Sequence, residues 1–279
     1  MRICYTSDFH GSRTHYSQLG EILRAERPAL AILGGDMLPD GNEPDPPGDQ
    51  AVWVSSELKT IIENYTRILP RLVVAVCMGN HDWTSSEIAI RELERIGILR
   101  LLDTERVWNF GGVNFLGCSL APPSPHFVKD YERLDVDGAQ LPGFDCEVLV
   151  SENGRVRRSS DEEHFLGMPS MAAVLDRIAS PPDPWILVAH APPYDTKLDR
   201  LPGIPYPIGS KAVRRFIEMR RPMCSLHGHV HESPEIAGGY FDELNGVLCI
   251  NPGQSHQRIQ AVVFDTDDVR GTLRHTVFQ

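Results

Sequence analysis

Arg2–Ser7, Ala29–Leu33 and Leu72–Cys77 are short, largely apolar runs, each the length of a buried strand. Between them the apolar positions change to helical spacing. Leu19, Ile22 and Leu23 form one stripe, beginning near Thr14 and ending before Pro28. Leu58, Ile61, Ile62, Tyr65, Ile68 and Leu69 form a second within Val52–Leu69, stopped by Pro70. Thr84 with Glu87 three residues later reads as a capping box for a helix through Arg95, ended by Gly97. Strand alternating with helix three times over is the pattern of right-handed crossovers in a largely parallel sheet.

The second half is less regular. Glu105–Phe110 and Val113–Gly117 flank Gly111-Gly112 and predict a hairpin. Ser119 to about Gly167 reads as an irregular insert with Pro122, Pro123 and Pro125 early. Later in it, Glu147–Val150 and Arg155–Arg158 surround Asn153-Gly154, a strong hairpin turn. The insert could be a lid, a rim decoration or the contact of a homo-oligomer. Ser170 predicts the cap of a helix carrying Val174, Leu175 and Ile178, followed by a buried strand at Trp185–Ala189. Ala191–Pro207 is a proline-rich loop and suggests a functional rim. A helix over Ser210–Arg221, a short strand at Met223–Leu226 and an antiparallel β tail complete the chain. The proline- and acid-rich Pro39–Asp49 is expected to be surface loop.

At 279 residues and 41% hydrophobic content the chain can bury a sizeable core. One domain over residues 1–279, with the insert at about 119–167, is the expectation. A net charge of −11 disfavours a dedicated binder of long nucleic acid and docking on an anionic membrane. A small anionic substrate stays compatible, because bound divalent cations reverse the local field. The six cysteines form no CxxC pair, and no secretory or membrane-spanning run is present, so a cytoplasmic setting is expected.

Charge and cysteines exclude; the strand ends point somewhere. Just past five apolar strands stand Asp8 and His10, Asp36, Asn80 and His81, His190, and His229 with His231. In a parallel sheet these ends share one edge, where ligands bind. Taken singly, each residue has an ordinary reading: a turn aspartate, a left-handed asparagine, a core histidine. Together, carboxylates, an amide oxygen and imidazoles without thiolate suit Mn, Fe, Zn or Co rather than a structural zinc–cysteine site. They are too many for one tetrahedral ion, and two ions sharing a carboxylate would use them. Asp82 and His227 are candidates to support these residues from behind. Asp82 could orient His81 or start the next turn, and His227 is expected to face elsewhere in its turn. His126 and Tyr194 are rim candidates, and His256 reads as surface.

Five blocks, Asp8-Phe9-His10, Gly35-Asp36, Gly79-Asn80-His81-Asp82, His190 and Gly228-His229-Val230-His231, stand in an order that resembles the calcineurin-like metallophosphoesterase superfamily. The resemblance runs from Ile3 to about Gly253, outside the insert, and is nearest to short bacterial and archaeal phosphodiesterase-like members. It implies an α/β fold, a four-layer αββα sandwich of two mixed β-sheets flanked by helices. It also implies two divalent ions (Mn, Fe or Zn), one on Asp8, His10, Asp36 and His231, the other on Asp36, Asn80, His190 and His229. A hydroxide bridging them would attack phosphorus, with His81 assisting the leaving oxygen. The partner implied is a small phosphoester, phosphodiesters such as cyclic nucleotides ahead of monoesters. Met37-Leu38-Pro39 after Asp36 lacks the tyrosine ligand of purple acid phosphatases, and Asp40 is followed by Gly41-Asn42, not by the basic residue of the Ser/Thr phosphatase motif. The alternatives are a non-catalytic scaffold for protein interactions, whose members tend to replace the site histidine, and a DNA nuclease, which needs a basic groove.

Overall fold

The computed structural model describes residues 1–40 and 47–278. Its first half runs β1 (Arg2–Thr6), α1 (Arg13–Glu26), β2 (Leu30–Gly34), α2 (Pro47–Trp53), α3 (Lys59–Ile68), β3 (Val73–Cys77), α4 (Glu87–Arg95) and β4 (Arg100–Leu101). These four strands pair in parallel, with Ile3 opposite Leu30 and Leu30 opposite Val73. The second half runs β5 (Trp108–Phe110), β6 (Val113–Cys118), β7 (Val148–Glu152), β8 (Arg155–Ser159), α5 (Asp161–Leu166), α6 (Met171–Asp176), β9 (Trp185–Ala189), α7 (Lys211–Arg220), β10 (Cys224–Leu226), α8 (Ser233–Ala237), β11 (Phe241–Leu244), β12 (Val247–Ile250), β13 (Val262–Asp265), α9 (Val269–Thr272) and β14 (Arg274–His275).

The strands form two mixed six-stranded sheets, ordered β14-β13-β1-β2-β3-β4 and β11-β12-β10-β9-β6-β5, plus the β7-β8 hairpin. Alternation along each strand sorts its side chains into layers. Ile3, Tyr5, Ile32 and Ala75 of the first sheet pack with Phe115, Ile186, Val188 and Leu226 of the second. Cys4, Ala31, Leu33, Val74 and Val76 point the other way and bury Leu19, Leu23, Ile62, Tyr65 and Ile90 of the flanking helices. On the far side Leu116, Leu187 and Cys249 bury Leu175, Val213, Phe216 and Ile217 of α6 and α7. This is the αββα sandwich. No helix among the described residues is long and apolar enough to cross a membrane.

Three expectations change. The helix foreseen from Val52 begins at Pro47 and passes from α2 to α3 through a π-helical turn at Val54–Leu58. Proline fits a first helical turn because its missing N–H has no helical partner there. Pro47, Gly48 and Asp49 are therefore helical, while residues 41–46 of the expected loop lie outside the described residues. Thr84 does not cap α4: a 3-10 turn, Thr84–Ser86, precedes the helix. The N–H and hydroxyl of Thr84 both donate to Asp130 Oδ2 at 2.9 Å, so the insert satisfies this helix start. Finally, the tail is only partly antiparallel, since β12 pairs in parallel with β10 and the last strand, β14, has just two residues.

Candidate metal centre

Each site residue falls in the turn that ends a strand. β1 leads to Asp8 and His10, β2 to Asp36, β3 to Asn80 and His81, β9 to His190 and β10 to His229 and His231. Asp8, His10, Asp36 and His229 adopt positive φ, between 46° and 67°. Asp and His enter this region more readily than most residues, and backbone strain of this kind collects at functional sites. Two close approaches need glycine. A Cβ on Gly79 would stand 2.2 Å from Asp36 Oδ1, and one on Gly228 would stand 2.5 Å from Asp8 Oδ2. Both carboxylates are thus seated against bare backbone.

The side chains collect into two donor groups. Asp8, His10 and His231 offer atoms within 4.8 Å of one another, and so do Asp36, His190 and His229. Asn80 joins the second group, its Oδ1 lying 3.1 Å from His190 Nε2 and 2.9 Å from His229 Nδ1. His229 and His231 belong to different groups. Two-residue spacing would put them on one face only of an extended chain, and His229 has φ 67°. The backbone N–H of His229 donates to Asp8, tying the groups together.

Beside them lies a third cluster that the sequence pattern did not reveal. Asp40 Oδ2 is 2.9 Å from His10 Nδ1 and 2.5 Å from His81 Nδ1. It occupies Nδ1 of both rings. His10 Nε2 faces His231 Nε2 at 3.3 Å, while His81 Nε2 has no hydrogen bond among the described residues. The only available signal was a second aspartate four residues beyond Asp36.

Electrostatics follow the pairing. Burial alone would raise the Asp8 and Asp36 carboxyls, but His231 and His190 hold them well below the usual carboxylate range. Asp40 is held low by His10 and His81 against its own burial. Burial opposes charge on the rings too, yet Asp40 and Asp36 raise His10 to about 9, and Asp36 and Asp8 raise His190 to about 9. His231 is raised by Asp8. Burial and the neighbouring His190 lower His229 to about 3, so it presents a neutral ring.

The donor set fits divalent cations. Buried oxygens of Asp8, Asp36 and Asn80 converge with imidazole nitrogens, and His10 Nε2 faces His231 Nε2, two atoms of the kind a cation binds. The outward nitrogens are fixed from behind: His10 Nδ1 by Asp40, and His190 Nδ1 by the Gly34 carbonyl at 2.9 Å. Such partners set the tautomer and aim of a metal-binding ring.

Asp82 and His227 do other work. Asp82 is fully buried and accepts the backbone N–H groups of Leu38 at 3.0 Å and Gly79 at 2.9 Å, stitching the turn after β2 to the turn after β3. Burial raises its carboxyl to about 7. The carboxylate that hydrogen-bonds to the His81 ring is that of Asp40. His227 points away from the cluster: Nδ1 lies 2.9 Å from the Ala189 carbonyl and Nε2 2.8 Å from Ser225 Oγ, and burial lowers it to about 4.

Part of the insert reaches the centre. The His126 ring stacks on His81 with centroids 3.6 Å apart and planes 12° apart. Glu132, fully buried, accepts from Asn80 Nδ2 at 3.2 Å and pairs with the buried Lys129 at 2.9 Å. The sequence places His126 only among the rim candidates and gives no signal for Glu132. His256 is exposed.

This fold and this clustering of donors define a metal-dependent phosphoric ester hydrolase. The chain belongs to the calcineurin-like phosphoesterase family, whose sequence model matches residues 1–233. Among solved structures, one superposes with a TM-score of 0.63 at 14% identity, covering 100% of this chain and 99% of the other. The protein TT1561 of Thermus thermophilus superposes at 0.59 with 15% identity, again over 100% and 99%. Both show the same fold. A novel archaeal phosphodiesterase reaches 0.46 at 14% identity over 99% and 98%, too loose to add to this. No curated protein sequence matches the chain significantly.

Proposed function

We propose that the chain hydrolyses phosphodiesters at a dinuclear centre. One ion would be held by Asp8, His10, Asp36 and His231, the other by Asp36, Asn80, His190 and His229, with Asp36 shared; Mn, Fe or Zn suits these donors. The observation that carries this reading is the division of the donors into two groups beside a histidine whose Nε2 has no hydrogen bond among the described residues. Two divalent ions, when bound, supply Lewis acidity towards the phosphoryl oxygens and lower the pKa of an attacking water.

His81 does the proton work. Asp40 accepts the Nδ1 proton, so the opposite nitrogen, Nε2, is the one aimed at the leaving oxygen. His126 covers one face of the ring and limits its rotation. Among the described residues no lysine or arginine hydrogen-bonds to these donors, so the ions alone would balance substrate charge. That favours a monoanionic diester, such as a cyclic nucleotide, over a dianionic monoester.

The test is purified, Mn-loaded protein assayed on bis-p-nitrophenyl phosphate, p-nitrophenyl phosphate and a nucleotide panel. Faster turnover of the diester is expected. Two bound ions with no turnover of any substrate would overturn the assignment and leave a scaffold.

A further inference from the structure

We propose that Glu132, supplied by the insert, is a positioning residue that fixes which end of the Asn80 amide faces the metal centre. This rests on the dinuclear reading above.

An asparagine side chain has an acceptor end and a donor end of nearly equal shape, and only the oxygen can bind a cation. Asn80 is fully buried, so water cannot choose its orientation. Its Oδ1 lies between His190 Nε2 and His229 Nδ1, at 3.1 and 2.9 Å, and its Nδ2 donates to Glu132 Oε1 at 3.2 Å. Every other group on that carboxylate is also a donor. The Ser124 N–H gives to Oε2 at 3.0 Å, Ser124 Oγ gives to Oε1, and Lys129 Nζ gives to Oε2 at 2.9 Å. Glu132 therefore acts as an acceptor, and a flipped amide would set oxygen against oxygen on one side and N–H groups against the metal on the other. Reversal would leave buried polar atoms unsatisfied, which is the costly direction for a hydrogen bond.

Lys129 makes this arrangement tolerable. Its ammonium, 1% exposed, supplies the countercharge to a carboxylate that is 0% exposed, and it is itself held by the Ser124 and His126 carbonyls. The same segment places the His126 ring on His81. One stretch of the insert thus touches both halves of the Asn80-His81 pair, by a hydrogen bond to one and a ring stack on the other.

Removing Glu132 alone would strand a buried ammonium, so the test uses charge-neutral pairs. Lys129→Met/Glu132→Gln keeps an acceptor for Asn80, and Lys129→Met/Glu132→Leu removes it. Mn binding is measured by calorimetry and by metal analysis after gel filtration, with thermal midpoints recorded for both. The leucine pair is expected to bind one of its two ions roughly 10–100-fold more weakly, the range for removing such outer partners, while the other ion is retained. The glutamine pair should stay within about threefold of the parent, by the same measure. Equal affinities in the two pairs, with the parent binding two ions, overturn the role of Glu132 and leave the dinuclear reading standing. A parent that binds no ion overturns both. If the leucine pair does not fold, Asn80→Asp is compared with Asn80→Asp/Glu132→Gln. The swapped pair restores a donor facing an acceptor and should bind the ion more tightly than the single variant; no gain overturns the proposal.

Discussion

Asn80 and His81 are neighbours in the chain with opposite surroundings. Asn80 is fully buried between two imidazoles and a carboxylate; His81 has Asp40 on Nδ1 and, among the described residues, no hydrogen bond on Nε2. Replacing His81 by alanine should lower kcat by about 10²–10⁴, the usual worth of a general acid, with metal content unchanged. A wild-type rate in that variant would remove the acid role. On the bridging role proposed for Asp36, Asp36→Asn should lose both ions together by metal analysis; retention of two ions would refute the bridge. Asp40→Asn touches His10 and His81 at once, so metal affinity and kcat should both fall, each by roughly 10–100-fold. A fall in kcat alone would confine Asp40 to His81. The ligand candidates could be picked out in the sequence because each follows an apolar run. Asp40 and Glu132 could not, because nothing in the order of residues says which carboxylate a buried amide or an imidazole will meet.

At the scale of elements, the strands and most helices follow from periodicity, and the discrepancies lie where a distant segment satisfied a local need. Thr84 and Glu87 have the spacing of a capping box, but Asp130 takes the Thr84 donors and Glu87 accepts from Tyr131 at 2.7 Å. Ser210 does cap its helix, accepting the Val213 N–H at 3.0 Å. Ser210→Ala should therefore cost about 1 kcal/mol in denaturant unfolding and leave metal content as it was. The turn after β3 is less forgiving. Gly79→Ala would drive a methyl into Asp36 Oδ1, so loss of metal is expected even where the far-ultraviolet dichroism is unchanged. Full metal binding in that variant would show that Asp36 can move aside.

For the molecule as a whole, the proposed ligand set predicts that proton and metal binding are coupled. His10 and His190 have ordinary values of 6.5, and their carboxylate partners raise both to about 9 against the effect of burial. Their pairing therefore stabilises the metal-free fold fully below pH 6.5 and is lost as the pH rises through 9. On the proposed ligand set a cation would take the place of those protons and needs neutral rings, so its binding should strengthen over the same interval. The gap between thermal midpoints with Mn and with chelator should widen from pH 6 to pH 9; a constant gap would refute the coupling.

By itself the sequence determined the strands, the helical stripes and the polar residues at five strand ends, because these depend on local spacing and on which side chains tolerate a tight turn. Tertiary structure decided the rest. Three of those ends belong to one sheet and two to the other, so the donors meet only because the sheets pack face to face. His229 and His231 went to separate groups because a left-handed residue, not an extended strand, carries the first of them. The part of the insert that carries His126, Lys129 and Glu132, which has no periodic pattern, became part of the wall of the centre through one buried ion pair and one ring stack. Contacts of that kind depend on which surfaces are brought together in three dimensions, and that information is not local to any stretch of the chain.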